Sequence, residues 1–109
     1  MKKATILAIL LGFAAIAAFA GPTVNADAGK ETFGKRCAIC HGKTGAGDGP
    51  AAKAFKGAIP DLSSKEVQDL KDADIAKVIT EGKGKMQPVK DLSKGDVENL
   101  TAFIRSLKK

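Results

Sequence analysis

Both cysteines of this 109-residue chain and its single histidine fall inside one pentapeptide, Cys37-Ala38-Ile39-Cys40-His41. No other feature limits the folded form so tightly, because three side chains with nucleophilic or ligating atoms must be carried on one turn of backbone. The remainder of the sequence offers little with which to build a large core: its aromatic residues are five phenylalanines, with no Trp or Tyr. A domain of this size recovers a modest share of its surface on folding and usually relies on a staple, a metal or a partner. The pentapeptide is where such a staple can attach.

Paired thiols at this spacing have several uses. A zinc centre wants four ligands, usually from a second C-x-x-C or a histidine pair, and the chain has no further Cys or His. A thioredoxin-like dithiol belongs at a helix start in a βαβ context, whereas no segment here shows sustained period-two alternation. A disulfide between Cys37 and Cys40 would close a tiny, strained loop of little value to stability. The reading the residues favour is C-x-x-C-H as the attachment signature of c-type haem. The two thiols then add to the vinyl groups on one side of a porphyrin, and His41 falls under the iron as an axial ligand. One covalently bound haem is the cofactor expected, and it also supplies the flat apolar body that the sequence lacks.

A second axial ligand follows by elimination. Met1 opens the chain, so Met86 is the only methionine of the processed protein, in the stretch Gly82-Lys83-Gly84-Lys85-Met86-Gln87-Pro88. A lone Met is usually core filler. Its hydrophilic flanks, the helix-stopping Gly82 and the stiffening Pro88 instead present the thioether on a loop, where His/Met ligation raises the reduction potential.

The chain start has the form of an export leader. Lys2 and Lys3 precede an uncharged run from Ala4 to Ala20, followed by Pro22 and a small-residue exit at Val24-Asn25-Ala26. A positive region, an apolar region and an A-x-A-like exit make a cleavable signal over 1–26. Ala18-Phe19-Ala20 is a second cleavage point, and retention as an anchor is a third outcome, the only one that ties the protein to a membrane. The expected location is therefore periplasmic, with a single domain over 27–109. The formal net charge of +6 includes Lys2 and Lys3. Bases alternate with acids along Lys65–Glu81 and Lys90–Glu98, a pattern without the basic stripe of a nucleic-acid binder.

Periodicity predicts an all-α domain. A first helix over Asp27–Ala38 puts Phe33 and Cys37 one turn apart, with Asp27 at its start. Gly42–Gly57 is rich in Gly, Ala and Lys and reads as loop. Ser63 or Ser64 caps a short turn carrying Val67 and Leu70, with Glu66 three residues after Ser63. Asp72 or Asp74 opens a helix with Ile75, Val78 and Ile79 on one face, and Gly82 ends it. Gly82–Val89 is extended loop. Ser93-x-x-Asp96 opens the last helix, where Val97, Leu100, Ile104 and Leu107 recur at helical spacing.

With the pentapeptide, Met86, Gly29 and Phe33 in the first helix and Phe103 in the last, the stretch Asp27–Lys109 resembles the small bacterial class I c-type cytochromes. The resemblance implies a cytochrome c-like fold of three to five short helices wrapped around one haem, with the first and last helices crossing at Gly29, Phe33 and Phe103. It also implies a proline carbonyl against the His41 ring, for which Pro50 is the match and Pro60 a weaker one. The usual Met-Pro is here Met86-Gln87-Pro88, and aliphatics replace the aromatic residues that often edge the haem crevice. With both axial positions filled, the expected activity is electron transfer and not catalysis, with redox proteins docking near the haem edge beside Lys43, Lys53, Lys56, Lys83 and Lys85. The alternatives are a ligand-binding or peroxidase-like haem protein with a labile Met86, and a cytochrome subunit docked on a larger redox complex.

Overall fold

The computed structural model describes residues 23–109; the leader run Lys2 to Ala20 lies outside the described residues. Five α-helices and one 3-10 turn make up the domain: α1 (Ala26–Arg36), α2 (Ala38–His41), the 3-10 turn Ala52–Phe55, α3 (Lys65–Gln68), α4 (Asp72–Glu81) and α5 (Lys94–Ser106). The expected all-α class is found. Among the described residues the only β-type pairing is one isolated bridge, Lys83 with Met86.

The last helix starts as the sequence predicts. The Asp96 amide donates to the Ser93 hydroxyl at 3.0 Å and the Ser93 amide to the Asp96 carboxylate at 2.9 Å, a reciprocal cap that satisfies two donors no helical carbonyl can reach. From this start α5 buries Val97, Leu100, Thr101, Phe103 and Ile104. Thr101 is tolerated because its hydroxyl donates to the Val97 carbonyl at 2.9 Å, so no polar group is left without a partner.

Against this face crosses α1. A Cβ on Gly29 would overlap the Asn99 carbonyl oxygen and lie 2.5 Å from its carbon, so the crossing exists only because position 29 has no side chain. One turn later Phe33 is fully buried. Its ring lies 4.9 Å from that of Phe103, tilted by 52°, an arrangement that suits the edge and face charges of two aromatic rings. Next, α4 adds Ile75 and Ile79 to the core and stops at Gly82, whose φ of 78° a side chain would strain. Each of these buried side chains contributes about 1.5–3 kcal/mol. Of the five ion pairs among the described residues, four are i,i+4 pairs whose bases are largely exposed, and such pairs are each worth about 0.2–0.5 kcal/mol.

Two expectations are corrected, and one choice between alternatives is decided. The first helix does not run on to Ala38: it breaks at Cys37, whose φ and ψ of −121° and −33° are not helical, and α2 restarts after it. Its start is set by Asn25, not Asp27, because Asn25 Oδ1 accepts from the amides of Asp27 and Ala28; Asp27 sits in the first turn, where its charge favours the helix dipole. Of the two candidate serines, Ser64 caps α3, accepting from the Val67 amide at 3.4 Å. Ser63 is held instead by Asp61, to which its amide and hydroxyl donate at 2.8 and 2.6 Å, and these bonds keep the Asp61 carboxyl below the usual carboxylate range. The loop after Gly42 also contains the 3-10 turn, ended by Lys56 at φ 49°.

Arg105 fastens the α3–α4 connection to the last helix. Its guanidinium donates to the Gln68 carbonyl at 2.7 Å, to Asp72 at 2.8 Å and to the Leu70 carbonyl, while the Gln68 amide donates to the carbonyls of Leu62 and Ile104 at 2.8 and 2.9 Å. No helix of the described residues is long and apolar enough to cross a membrane.

Gly29→Ala and Gly34→Ala separate close approach from helix propensity. Nothing lies within 4 Å of a Cβ at Gly34, so G34A should leave the urea midpoint unchanged or raise it by up to about 1 kcal/mol of stability. G29A should lower stability by about 1–3 kcal/mol despite the same gain in propensity.

Candidate functional site

The break at Cys37 gives the pentapeptide its shape. The Cys37 amide closes α1 on the Phe33 carbonyl at 2.8 Å, and the Cys37 carbonyl accepts from both Cys40 and His41 at 3.2 and 3.0 Å. Both sulfur-bearing residues and the histidine therefore sit on one turn anchored to Phe33. The His41 ring lies 6.2 Å from the Phe33 ring at a tilt of 43°, so the residue at the centre of the helix crossing also backs the imidazole.

A four-residue helix leaves its carbonyls without intrahelical partners, and the glycine-rich loop supplies them. Gly47 donates to the His41 carbonyl at 2.8 Å, Gly49 to Cys40 at 3.1 Å and Ala51 to Ile39 at 2.8 Å. Alternate residues of the loop thus take three consecutive carbonyls of the pentapeptide turn. At the middle of this clasp a Cβ on Gly49 would lie 2.5 Å from the carbonyl oxygens of both Ala38 and Ile39. The loop was legible in the sequence as glycine-rich; its role as a clasp was not.

Burial disfavours charge at Cys37 and at His41. Burial pushes the Cys37 thiol up to about 11, with the nearby Arg36 charge lowering it and Cys40 raising it. Both cysteines are free and half-buried, so the disulfide alternative is not formed. Burial also holds the His41 imidazole below its ordinary value, which favours the neutral ring with a lone pair to donate. His41 Nδ1 is buried and has no hydrogen-bond partner. The expected bond to the Pro50 carbonyl is therefore not made, nor is one to Pro60. Pro50 stands inside the clasp, exposed, between two residues whose amides are committed to Cys40 and Ile39.

Met86 belongs to a separate element. Lys83 and Met86 exchange backbone hydrogen bonds at 3.1 and 2.9 Å, closing a tight turn that presents a half-buried methionine. The turn is tethered on both sides: the Met86 carbonyl packs close over Gly82, and the Val89 amide donates to the Ile79 carbonyl at 2.9 Å. Val89 and Leu92 pack against the same core cluster as Cys37. Arg36, next to Cys37, donates to the Lys90 carbonyl at 2.9 Å. This long-range bond, which no local pattern could have revealed, ties the segment after the Met86 turn to the end of the helix that delivers the pentapeptide.

The residues present suit a haem. Apart from Phe33 and Leu100, no side chain described is fully buried; Phe55, Ile59, Met86 and Val89 are only half-covered, and Ile39 and Leu70 are 61% and 39% exposed. The core is therefore open to a further apolar body. The donors are two free thiols, a neutral imidazole with an orphaned buried nitrogen, and a thioether. No group of three or more His, Cys, Asp or Glu among the described residues could hold a bare metal ion, so the zinc alternative finds no ligand cluster here.

Comparison with known proteins points the same way. The model of the family described as "Cytochrome C oxidase, cbb3-type, subunit III" matches residues 24–104. Six chains of solved structures match. One of them, described as "KustC0563 c-type cytochrome", is 27% identical with a TM-score of 0.62, the alignment covering 74% of this chain and 98% of that one. No curated protein matches.

Gly49→Ala tests the clasp. Its cost should be steric and about 1–3 kcal/mol of stability, read from denaturant unfolding of the purified protein. The pentapeptide turn, deprived of its loop, should also become the first segment to exchange amide hydrogens.

Proposed function

Because the chain belongs to the family described as cytochrome c oxidase, cbb3-type, subunit III, and is a small c-type cytochrome domain, we propose that it is a periplasmic electron carrier whose single haem c is bonded through Cys37 and Cys40 and ligated by His41 and Met86. The observation that carries the reading is the presentation of two free thiols and a neutral imidazole on one clasped turn. When bound, the haem supplies a one-electron ferric/ferrous couple.

The chain's own residues hold and shield that group. Cys37 and Cys40 fix its attitude permanently, and the Phe33 ring, held by Phe103, backs the His41 imidazole. Met86, on its tethered turn, would be the second residue to hold the iron, and with both His41 and Met86 bound no open site would be left for oxygen or peroxide. Electron transfer then needs no bond made or broken in the protein. The absence of an open site is what separates a carrier from a ligand-binding or peroxidase-like protein.

Docking is read from charge. Lys43, Lys53, Lys56, Lys83 and Lys85 are exposed and form no ion pair among the described residues, whereas Lys35, Lys65, Lys77 and Lys94 each face an acid one turn away. Lys30, Lys71, Lys90, Lys108 and Lys109 are likewise exposed and unpaired among the described residues; it is the place of the first five, in the loops beside the pentapeptide turn and Met86, that supports transient docking to an acidic redox partner. A second reading, a cytochrome subunit held on a larger redox complex, is favoured by the family's description; size-exclusion of a native extract separates it from a free shuttle.

Two outcomes test the proposal. The purified protein should show a ferric thioether-to-iron band and no carbon monoxide binding when reduced, while Met86→Ala should lose the band and bind carbon monoxide; ready binding by the unaltered protein would establish the labile-Met alternative. Electron transfer to an acidic partner should slow as ionic strength rises from about 0.01 to 0.1 M, over which the screening length falls from about 30 to 10 Å. A rate indifferent to salt would remove the lysines from docking.

A further inference from the structure

The residues assigned above to the end of the leader are already part of the folded domain. Asn25 makes four hydrogen bonds: its Oδ1 accepts from the amides of Asp27 and Ala28 at 2.9 and 3.2 Å, its carbonyl accepts from the Gly29 amide at 3.1 Å, and its own amide donates to Asn99 Oδ1 at 2.8 Å. The last of these ties the start of α1 to α5 beside the crossing at Gly29, where the Asn99 carbonyl is the group a Cβ would strike. Val24 borders a cleft of about 300 Å³ between α4 and α5, together with Ala73, Ala76, Val97 and Ala102. The stretch matched by the family, 24–104, likewise includes Val24, Asn25 and Ala26.

A cut after Ala26 would discard all of this. It would remove the cap, leave the first amides of α1 without an acceptor, and place the new terminal ammonium of Asp27 at the positive end of the helix dipole, where a cation is disfavoured. A cut after Ala20 discards nothing that the structure describes. Both cuts give a leader within the usual 15–30 residues, but Ala18-Phe19-Ala20 is A-x-A itself, whereas Val24-Asn25-Ala26 puts a branched residue at the first small position.

We propose that the exported chain is processed between Ala20 and Gly21, so that Val24, Asn25 and Ala26 are retained and Asn25 serves as the cap of α1 in the working protein. The inference rests on the export reading. The step is hydrolysis of one amide by a signal-cleaving protease: the Ala20–Gly21 C–N bond breaks, the oxygen of water becomes part of the Ala20 carboxylate, and both protons of water end on the Gly21 ammonium.

The test is the intact mass of the haem-bearing protein after the full-length chain is produced in a host that exports it and attaches haem. Gly21 as first residue is the expected result. Asp27 as first residue, or any other new terminus, overturns the inference while leaving export standing; a chain that keeps Met1 overturns the cleavable leader and the inference together. As a second measurement, haem-bearing Asn25→Ala should show a folding equilibrium reduced roughly five- to twentyfold in urea, and an unchanged equilibrium would overturn the role given to Asn25.

Discussion

The contact on which the rest depends is the approach of α1 to α5 at Gly29. Because position 29 brings backbone to backbone, the next turn of α1 carries Phe33 into full burial against Phe103. Two things then hang on Phe33. Its carbonyl receives the Cys37 amide, which ends the helix and starts the pentapeptide turn, and its ring faces that of His41. The crossing is thus also the datum from which the imidazole is positioned. A shift of α1 along α5 would move the sulfurs and the ring together, relative to a Met86 turn that is fixed to α4. Arg36 to Lys90 is the one hydrogen bond described that couples the two bodies directly near the site.

What the sequence made legible was local. The reciprocal Ser93–Asp96 cap, the stop at Gly82 and the spacing of Val97, Leu100 and Ile104 are patterns whose cause lies within a few residues, and α4 and α5 fall where they were expected. The pentapeptide was legible for the same reason. The departures arise where a competing partner decided the outcome. Asp61, two residues before Ser63, holds it and leaves Ser64 to cap α3, and Cys37 leaves helical geometry as the chain turns into the clasp. The bond expected from His41 to Pro50 was an inference from resemblance, and what the loop does instead is commit its amides on either side of Pro50 to Ile39 and Cys40. None of those pairings has a signal in spacing.

The structure also accounts for why so short a chain concentrates its chemistry in one place. Among the described residues ten hydrophobic side chains form the core, and only two are wholly covered. At about 25 cal/mol for each Å² of apolar surface removed from water, half-covered side chains such as Phe55, Ile59 and Met86 have stabilisation still to gain from a further apolar surface. A covalent attachment supplies that surface without any loss by dissociation. It also restricts the unfolded chain near position 40. Burial, which leaves Cys37 protonated and His41 neutral, is consistent with a turn shaped to lie against such a body and not against water.

The clasp bears on redox chemistry. It meets the pentapeptide turn through backbone amides already committed to carbonyls, and none of these titrates when the iron of a bound haem changes charge. Asp61 is held ionised by Ser63 on a separate loop, and the ion pairs lie on the outer faces of the helices with at least one partner mainly exposed, where solvent and salt screen them. The remaining levers on the couple are the identity of the axial ligands and the low dielectric of the core. On the proposed ligation, the Met86 thioether is the lever set by a single replaceable residue on a turn of its own. The crossing and the clasp would then fix where the group sits, and the Met86 turn would set how strongly it holds its electron.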